Sequence, residues 1–284
     1  MIEILIALAV VAAVGVLAGV LLALVSHFFG VKEDERVKEI RACLPGINCG
    51  ACGFKGCDDY AAALAGGGVR ADLCVPGAED TANALSALLG VEVDTPEDFV
   101  AFVHCNGNCE ATGKKAEYEG ISSCRAAAML YGGPDACKYG CMGLGDCAAA
   151  CPVQAICLKD GIAHVDSSRC LGCGLCTEIC PKHIISLIPQ EAKSVVMCSN
   201  KDKGADARKA CKNACIGCKK CEKACPEGAI TVSNNLATID YSKCTGCGLC
   251  VAGCPTGCLH KVFLPDLEPD GEINTPEHMN SINN

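Results

Sequence analysis

Residues 170–181 read CLGCGLCTEICP, and the same spacing returns at 215–226 as CIGCKKCEKACP and at 244–255 as CTGCGLCVAGCP. Each copy is Cys-x2-Cys-x2-Cys-x3-Cys-Pro. A worn copy at 141–152, CMGLGDCAAACP, keeps Cys141, Cys147, Cys151 and Pro152 but has Leu144 at the middle cysteine position. Three thiolates two residues apart can wrap one corner of a cubane [4Fe–4S] cluster in a tight turn, while the fourth points away to the other cluster of a pair. The proline then stops the local helix. Thiolate is the soft ligand that iron–sulfur centres require. One Cys-x2-Cys alone would suit zinc as well. Three complete copies in one chain point to iron–sulfur electron transfer.

The composition agrees. The chain has 284 residues and 28 cysteines, no Trp, and only 4% aromatic residues. Cysteine this dense means a secreted disulfide scaffold or a metal protein, and the spacings favour metal in a reducing cytosol. So few large side chains cannot build large conventional cores, which leaves bound clusters much of the folding role. The formal charge of −9 excludes nucleic acid as a partner. Basic groups on a protein partner suit it better.

Shifting the chain by 74 residues lays Cys141, Cys147, Cys151, Cys170, Cys173, Cys176 and Cys180 on Cys215, Cys221, Cys225, Cys244, Cys247, Cys250 and Cys254. Between the motifs, AICLKDGIAHVD matches AITVSNNLATID. Each reads as a β-hairpin turning at Asp160-Gly161 or Asn234-Asn235. The chain thus holds two tandem domains with the spacing of two-cluster bacterial ferredoxins. Crosswise ligation assigns Cys151, Cys170, Cys173 and Cys176 to one site. Cys215, Cys218, Cys221 and Cys254 form another, and Cys225, Cys244, Cys247 and Cys250 a third. The worn site has Cys141, Cys147 and Cys180 and needs one more ligand. Cys137 is the nearest in sequence and is assigned there. A further module, Cys49-x2-Cys52-x4-Cys57-x16-Cys74, reads as a single [4Fe–4S] site, with zinc as its bland alternative. That makes at least five clusters. A sixth can be drawn from Cys124, Cys198, Cys211 and Cys105 or Cys109. Cys43, Cys157 and Cys258 are read as packing thiols.

Residues 4–26, ILIALAVVAAVGVLAGVLLALVS, carry no charge and are long enough to span a bilayer core of about 30 Å. The only charge before them is Glu3, which argues against a signal peptide. Lys32, Arg36, Lys38 and Arg41 follow, so the positive-inside rule puts the cysteine domains in the cytoplasm. The expected class is α+β: one N-terminal transmembrane helix, a small one-cluster domain and two tandem ferredoxin-like domains. The expected boundaries are 1–29 for the anchor, 30–90 for the one-cluster domain and 91–136 for a connecting insert. They continue with 137–189 for the first ferredoxin-like domain, 190–210 for a linker and 211–263 for the second. Residues 264–284 form an acidic, apolar-poor tail read as disordered.

No dinucleotide fingerprint opens a helix, and Gly107 to Gly113-Lys114 is too long for a P-loop. The histidines form no ligand-spaced pair. The order of anchor, x2-x4-x16 module and ferredoxin pairs resembles the B subunit of the Rnf complex, in its long clostridial-type form. The resemblance implies a membrane-anchored electron-transfer subunit of an ion-pumping ferredoxin:NAD+ oxidoreductase. It implies soluble ferredoxin as donor, and other Rnf membrane and flavin-bearing subunits as partners, with NAD+ reduced at a flavin elsewhere. An anchored electron-transfer subunit of a hydrogenase or formate dehydrogenase is the rival class, and an iron–sulfur sensor a more distant one.

Overall fold

In the computed structural model, residues 2–29, 34–94 and 98–262 are described. Helix α1 (Ile2–Phe29) is 28 residues of almost wholly apolar sequence, and its placed hydrophobic side chains, such as Val11, Leu17 and Leu22, are exposed. Its side chains are placed without interruption only over residues 9–25. Taken on the described residues, no helix is long and apolar enough to cross a membrane. The acidic tail read as disordered lies outside the described residues.

A small helical unit follows. Helices α2 (Glu35–Cys43), α3 (Cys57–Gly66) and α4 (Ala78–Leu89) close over Ile40, Leu44, Tyr60, Leu64 and Leu85. Asp34 caps α2 by accepting from the Arg36 amide, and Asn48 Oδ1 accepts from the Cys57 amide at the start of α3. Gly90 ends α4 in the left-handed conformation, with its amide on the Ser86 carbonyl. Ala82 and Leu85 on α4 are buried, whereas Leu88 is exposed. Fully buried Tyr60 ties the unit's ends together. Its hydroxyl donates to the Arg70 carbonyl at 2.9 Å and accepts from the Leu73 amide at 3.4 Å.

The rest is one design used twice. In the first copy, strand β1 (Phe99–Val103) leads through the short helices α5 (Cys124–Met129) and α6 (Asp146–Ala149) to a hairpin. The hairpin is β2 (Ile156–Lys159) and β3 (Ile162–Val165); helix α7 (Leu175–Ile179) and strand β4 (Ile185–Pro189) complete the copy. In the second, β5 (Ser194–Val196), α8 (Gly204–Ala210), α9 (Lys220–Ala224), β6 (Ile230–Ser233), β7 (Leu236–Ile239), α10 (Leu249–Ala252) and β8 (Leu259–Lys261) follow in order. Four two-stranded antiparallel sheets result: β2 with β3, β6 with β7, β1 with β4, and β5 with β8. Both hairpins turn where expected, with positive φ at Asp160, Gly161, Asn234 and Asn235. That is the two-residue turn whose twist matches the strands. The segments 91–136 and 190–210, read as insert and linker, each contribute a strand to a ferredoxin-like unit. Val103 faces Ile185, and Val196 faces Leu259.

The motif loops share one backbone device. The residue before each middle position and the one two beyond it both have positive φ: Gly143 and Gly145, Gly172 and Gly174, Gly217 and Lys219, Gly246 and Gly248. A Cβ at Gly172 would also collide with the Phe99 carbonyl on β1. Gly172→Ala therefore meets both a conformational cost and a clash, together about 1–3 kcal/mol or more. Gly228, φ 61 with open space around it, meets only the conformational cost, about 1 kcal/mol. In guanidinium the visible absorbance of loaded Gly172→Ala should bleach clearly faster than that of Gly228→Ala; equal rates would refute the packing argument.

Candidate metal centres

The first module gathers its thiols beside the helical core. Burial pushes Cys74 up to about 11, and the neighbouring Cys57, Cys49 and Cys52 push the same way. Cys43 lies outside this set, its thiol donating to the Glu39 carbonyl at 3.4 Å. In the first ferredoxin-like unit, burial and then Cys170, Cys173 and Cys151 push Cys176 up to about 12. Backbone amides are aimed at this set. Ala101 on β1 donates to Cys170 Sγ at 3.4 Å, and Ala155 donates to Cys151 Sγ at 3.3 Å. In the second unit, Cys215, Cys218, Cys221, Cys254 and Cys258 line one pocket. Cys258, read as a packing thiol, is buried against this set with its sulfur 3.7 Å from Cys254 Sγ. Cys244, Cys247 and Cys250 stand together on the last motif, since after burial the first two are the charges that raise Cys250. Cys225, at the end of α9, occupies the repeat position of Cys151. Cys157 is buried in β2 opposite His164.

The worn motif differs from expectation. Its pocket is lined by Cys141, Cys147, Cys180 and Cys124. Cys137 is absent from it and lines a different space with Cys105, Cys198 and Cys211. Burial pushes Cys124 up, while a backbone hydrogen bond at Leu144 pulls it down. The Cys124 sulfur thus stands at the residue whose cysteine is missing. Asp146 holds it there. Its carboxylate accepts from Ser123 Oγ at 3.0 Å and from the amides of Cys124 at 2.9 Å and Arg125 at 3.0 Å. A carboxylate on the free amides at the start of α5 satisfies groups the helix cannot. Lys182 fastens the same segment from the other side, donating to the carbonyls of Gly132 and Lys138. Sequence proximity favoured Cys137; the signal for Cys124 was Asp146 inside the motif, an acid able to bind a helix start. Cys109, the other candidate, is exposed and borders neither cavity.

These thiols fit cubane clusters better than lone ions. A zinc ion sits about 2.3 Å from each sulfur, which draws four sulfurs tightly round a point. Among the described residues, no group of three or more His, Cys, Asp or Glu could hold a lone metal ion. The thiols border shared pockets and do not converge on a single point.

One small iron–sulfur unit followed by two tandem dicluster units defines a multi-centre electron-transfer protein. Comparison with known families agrees. Residues 44–76 match the family described as "Putative Fe-S cluster", and residues 136–184 and 214–258 match "4Fe-4S dicluster domain". A second dicluster family spans 169–229, across the junction of the units. The chain is 44% identical over 230 residues to the B subunit of the Na(+)-translocating ferredoxin:NAD(+) oxidoreductase complex of Acetobacterium woodii, covering 81% of this chain and 69% of that protein. It is 45% identical to the B subunit of the proton-translocating ferredoxin:NAD(+) oxidoreductase complex of Clostridium ljungdahlii, over 83% of this chain and 84% of that one. It is 40% identical to the B subunit of the ion-translocating oxidoreductase complex of Methanosarcina acetivorans, over 83% and 90%. The chain belongs to this family, the B subunits of the Rnf-type ion-translocating oxidoreductases.

Asp146→Ala should loosen Cys124 and lower occupancy of the worn site, leaving the other sites loaded. Iron content should fall by at most about four atoms per chain. Asp146→Ala and Cys124→Ala should alter the same component of the low-temperature EPR spectrum, while Cys137→Ala leaves that component in place. Loss of it in Cys137→Ala alone would restore the assignment by sequence proximity.

Proposed function

We propose that this chain relays electrons from reduced soluble ferredoxin within a membrane-associated ion-translocating ferredoxin:NAD+ oxidoreductase, holding at least five [4Fe–4S] clusters. The observation that supports it most is the adjacency of successive thiol sets. Cys49 of the first module is among the charges that, after burial, raise Cys173. Cys176 is in turn among those that raise Cys147 of the worn set. Bound in these sets, [4Fe–4S] clusters supply one-electron exchange. The chain's own part is to hold and tune. Its thiols give up protons to bind iron. Its amides at Ala101 and Ala155 donate to cysteine sulfurs and so favour added negative charge there. The ligands of the motifs are Cys49, Cys52, Cys57 and Cys74; Cys151, Cys170, Cys173 and Cys176; Cys215, Cys218, Cys221 and Cys254; and Cys225, Cys244, Cys247 and Cys250. The worn site takes Cys124, Cys141, Cys147 and Cys180.

NAD+ reduction belongs to a flavin-bearing partner, because a nicotinamide takes two electrons at once. Reduced ferredoxin should rapidly bleach the visible absorbance of the purified full chain, and NADH alone should not. Stoichiometric reduction by NADH without partner subunits would overturn this division of labour.

The reading includes a single transmembrane anchor at α1, with the cysteine domains in the cytoplasm. The support is the uncharged run of residues 4–26, which as a helix would extend about 35 Å at 1.5 Å per residue, enough for the hydrocarbon core. Its exposed apolar side chains would otherwise face water. Arg36, Lys38 and Arg41 follow it on α2. Protease should digest the cysteine domains in inside-out vesicles and spare them in right-side-out ones. The opposite pattern would reverse the orientation.

A further inference from the structure

The two ferredoxin-like units meet at a thiol-lined space that the motif spacings do not describe. Cys105 and Cys137 come from the first unit, and Cys198 and Cys211 from the second. All four are buried, and they line one shared pocket, as the four thiols at the worn motif line another. All four cysteines are free, so no disulfide accounts for their convergence.

The pairs are related as the units are. Cys105 follows β1 as Cys198 follows β5. Cys137 and Cys211 each stand four residues before their unit's first motif cysteine, Cys141 or Cys215. The hydrogen bonds repeat as well. Cys105 Sγ accepts from the amides of Gly107 at 3.4 Å and Cys141 at 3.3 Å. Cys198 Sγ accepts from the amides of Asn200 at 3.4 Å and Cys215 at 3.2 Å. Asn200, 1% exposed, also extends its side-chain amide to Cys137 Sγ at 3.5 Å. A Cβ at Gly107 would lie 3.5 Å from both Cys105 Sγ and Cys211 Sγ, so glycine keeps the space between the thiols open.

Neutral packing thiols need none of this. A cysteine in an apolar core behaves as a small hydrophobe and fills space. Here four sulfurs line one shared pocket, and three of them receive N–H groups that would stabilise negative charge on sulfur. We propose that Cys105, Cys137, Cys198 and Cys211 ligate a sixth [4Fe–4S] cluster, two ligands from each unit. The proposal rests on the iron–sulfur reading above. On binding, each thiol loses its proton to solvent and forms one sulfur–iron bond. The site lies between the worn set and the Cys215 set, because the amides of Cys141 and Cys215 are two of its hydrogen-bond donors. It places the two units in series.

Anaerobically reconstituted full chain should hold about 24 iron atoms, against about 20 for five sites. Cys137→Ala and Cys198→Ala, from different units, should change the same EPR component, each losing at most about four iron atoms. The double variant should lose no more than either single one. Cys109→Ala should match the parent chain. A parent count of about 20, or additive losses of two distinct components in the double variant, would overturn the sixth site and leave the proposed function standing. Zinc in place of iron at this site alone would also overturn it. Little iron anywhere would defeat the function itself. The parent count needs no variant to fold, so the proposal stays exposed to refutation even if one does not.

Discussion

The cysteine domains depend on sulfur buried where larger side chains would ordinarily form a core. The two larger cores are built from alanine, short aliphatic residues and the ligand cysteines themselves, such as Cys147 and Cys176 in one and Cys215, Cys221 and Cys250 in the other. Four separate two-stranded sheets of three to five residues per strand cannot hold such units alone. Burial also works against the charge that iron needs, pushing Cys105 up to about 12 and Cys198 and Cys221 up to about 11. A cationic core reverses that balance, since thiolates then have a partner. Metal binding and folding are therefore one equilibrium here.

Much of this was legible in the sequence. The complete motifs marked the iron–sulfur domains, and Asp160-Gly161 and Asn234-Asn235 marked the hairpins. The strands β1 and β5 were not legible, because FVAFV and SVV are short apolar runs without alternation or turn signals. Missing them hid the larger repeat, which begins at β1 and β5 rather than at the first motif cysteine.

The structure groups the cysteines outside the complete motifs differently, for a related reason. A single offset of 74 residues pairs Cys124 with Cys198, yet the structural counterpart of Cys198 is Cys105, 93 residues earlier. The first unit carries 19 more residues between Cys105 and Cys137 than the second does between Cys198 and Cys211. That extra segment contains α5 and Cys124. The cysteine missing at Leu144 thus has a counterpart beside Cys141, Cys147 and Cys180 that comes from an insertion, distant in sequence and adjacent in space. What the site requires is a sulfur at one position, and Asp146 supplies the means of bringing one there.

Cys141 and Cys215 each serve two sites. Their side chains belong to the worn set and the Cys215 set, while their backbone amides donate to Cys105 and Cys198 at the junction. Iron bound by either side chain fixes the turn that aims the amide. The junction is thereby shaped by the filling of its neighbours, and its thiols become fully arranged only when both units are in place. The same contact that sets the sulfur environment also docks one unit on the other, with Asn106 accepting from the Asn213 side chain at 2.8 Å and His104 Nδ1 lying 2.7 Å from the Val196 carbonyl. Relay geometry and domain packing are therefore a single constraint at this junction, and a change that loosens one must loosen the other.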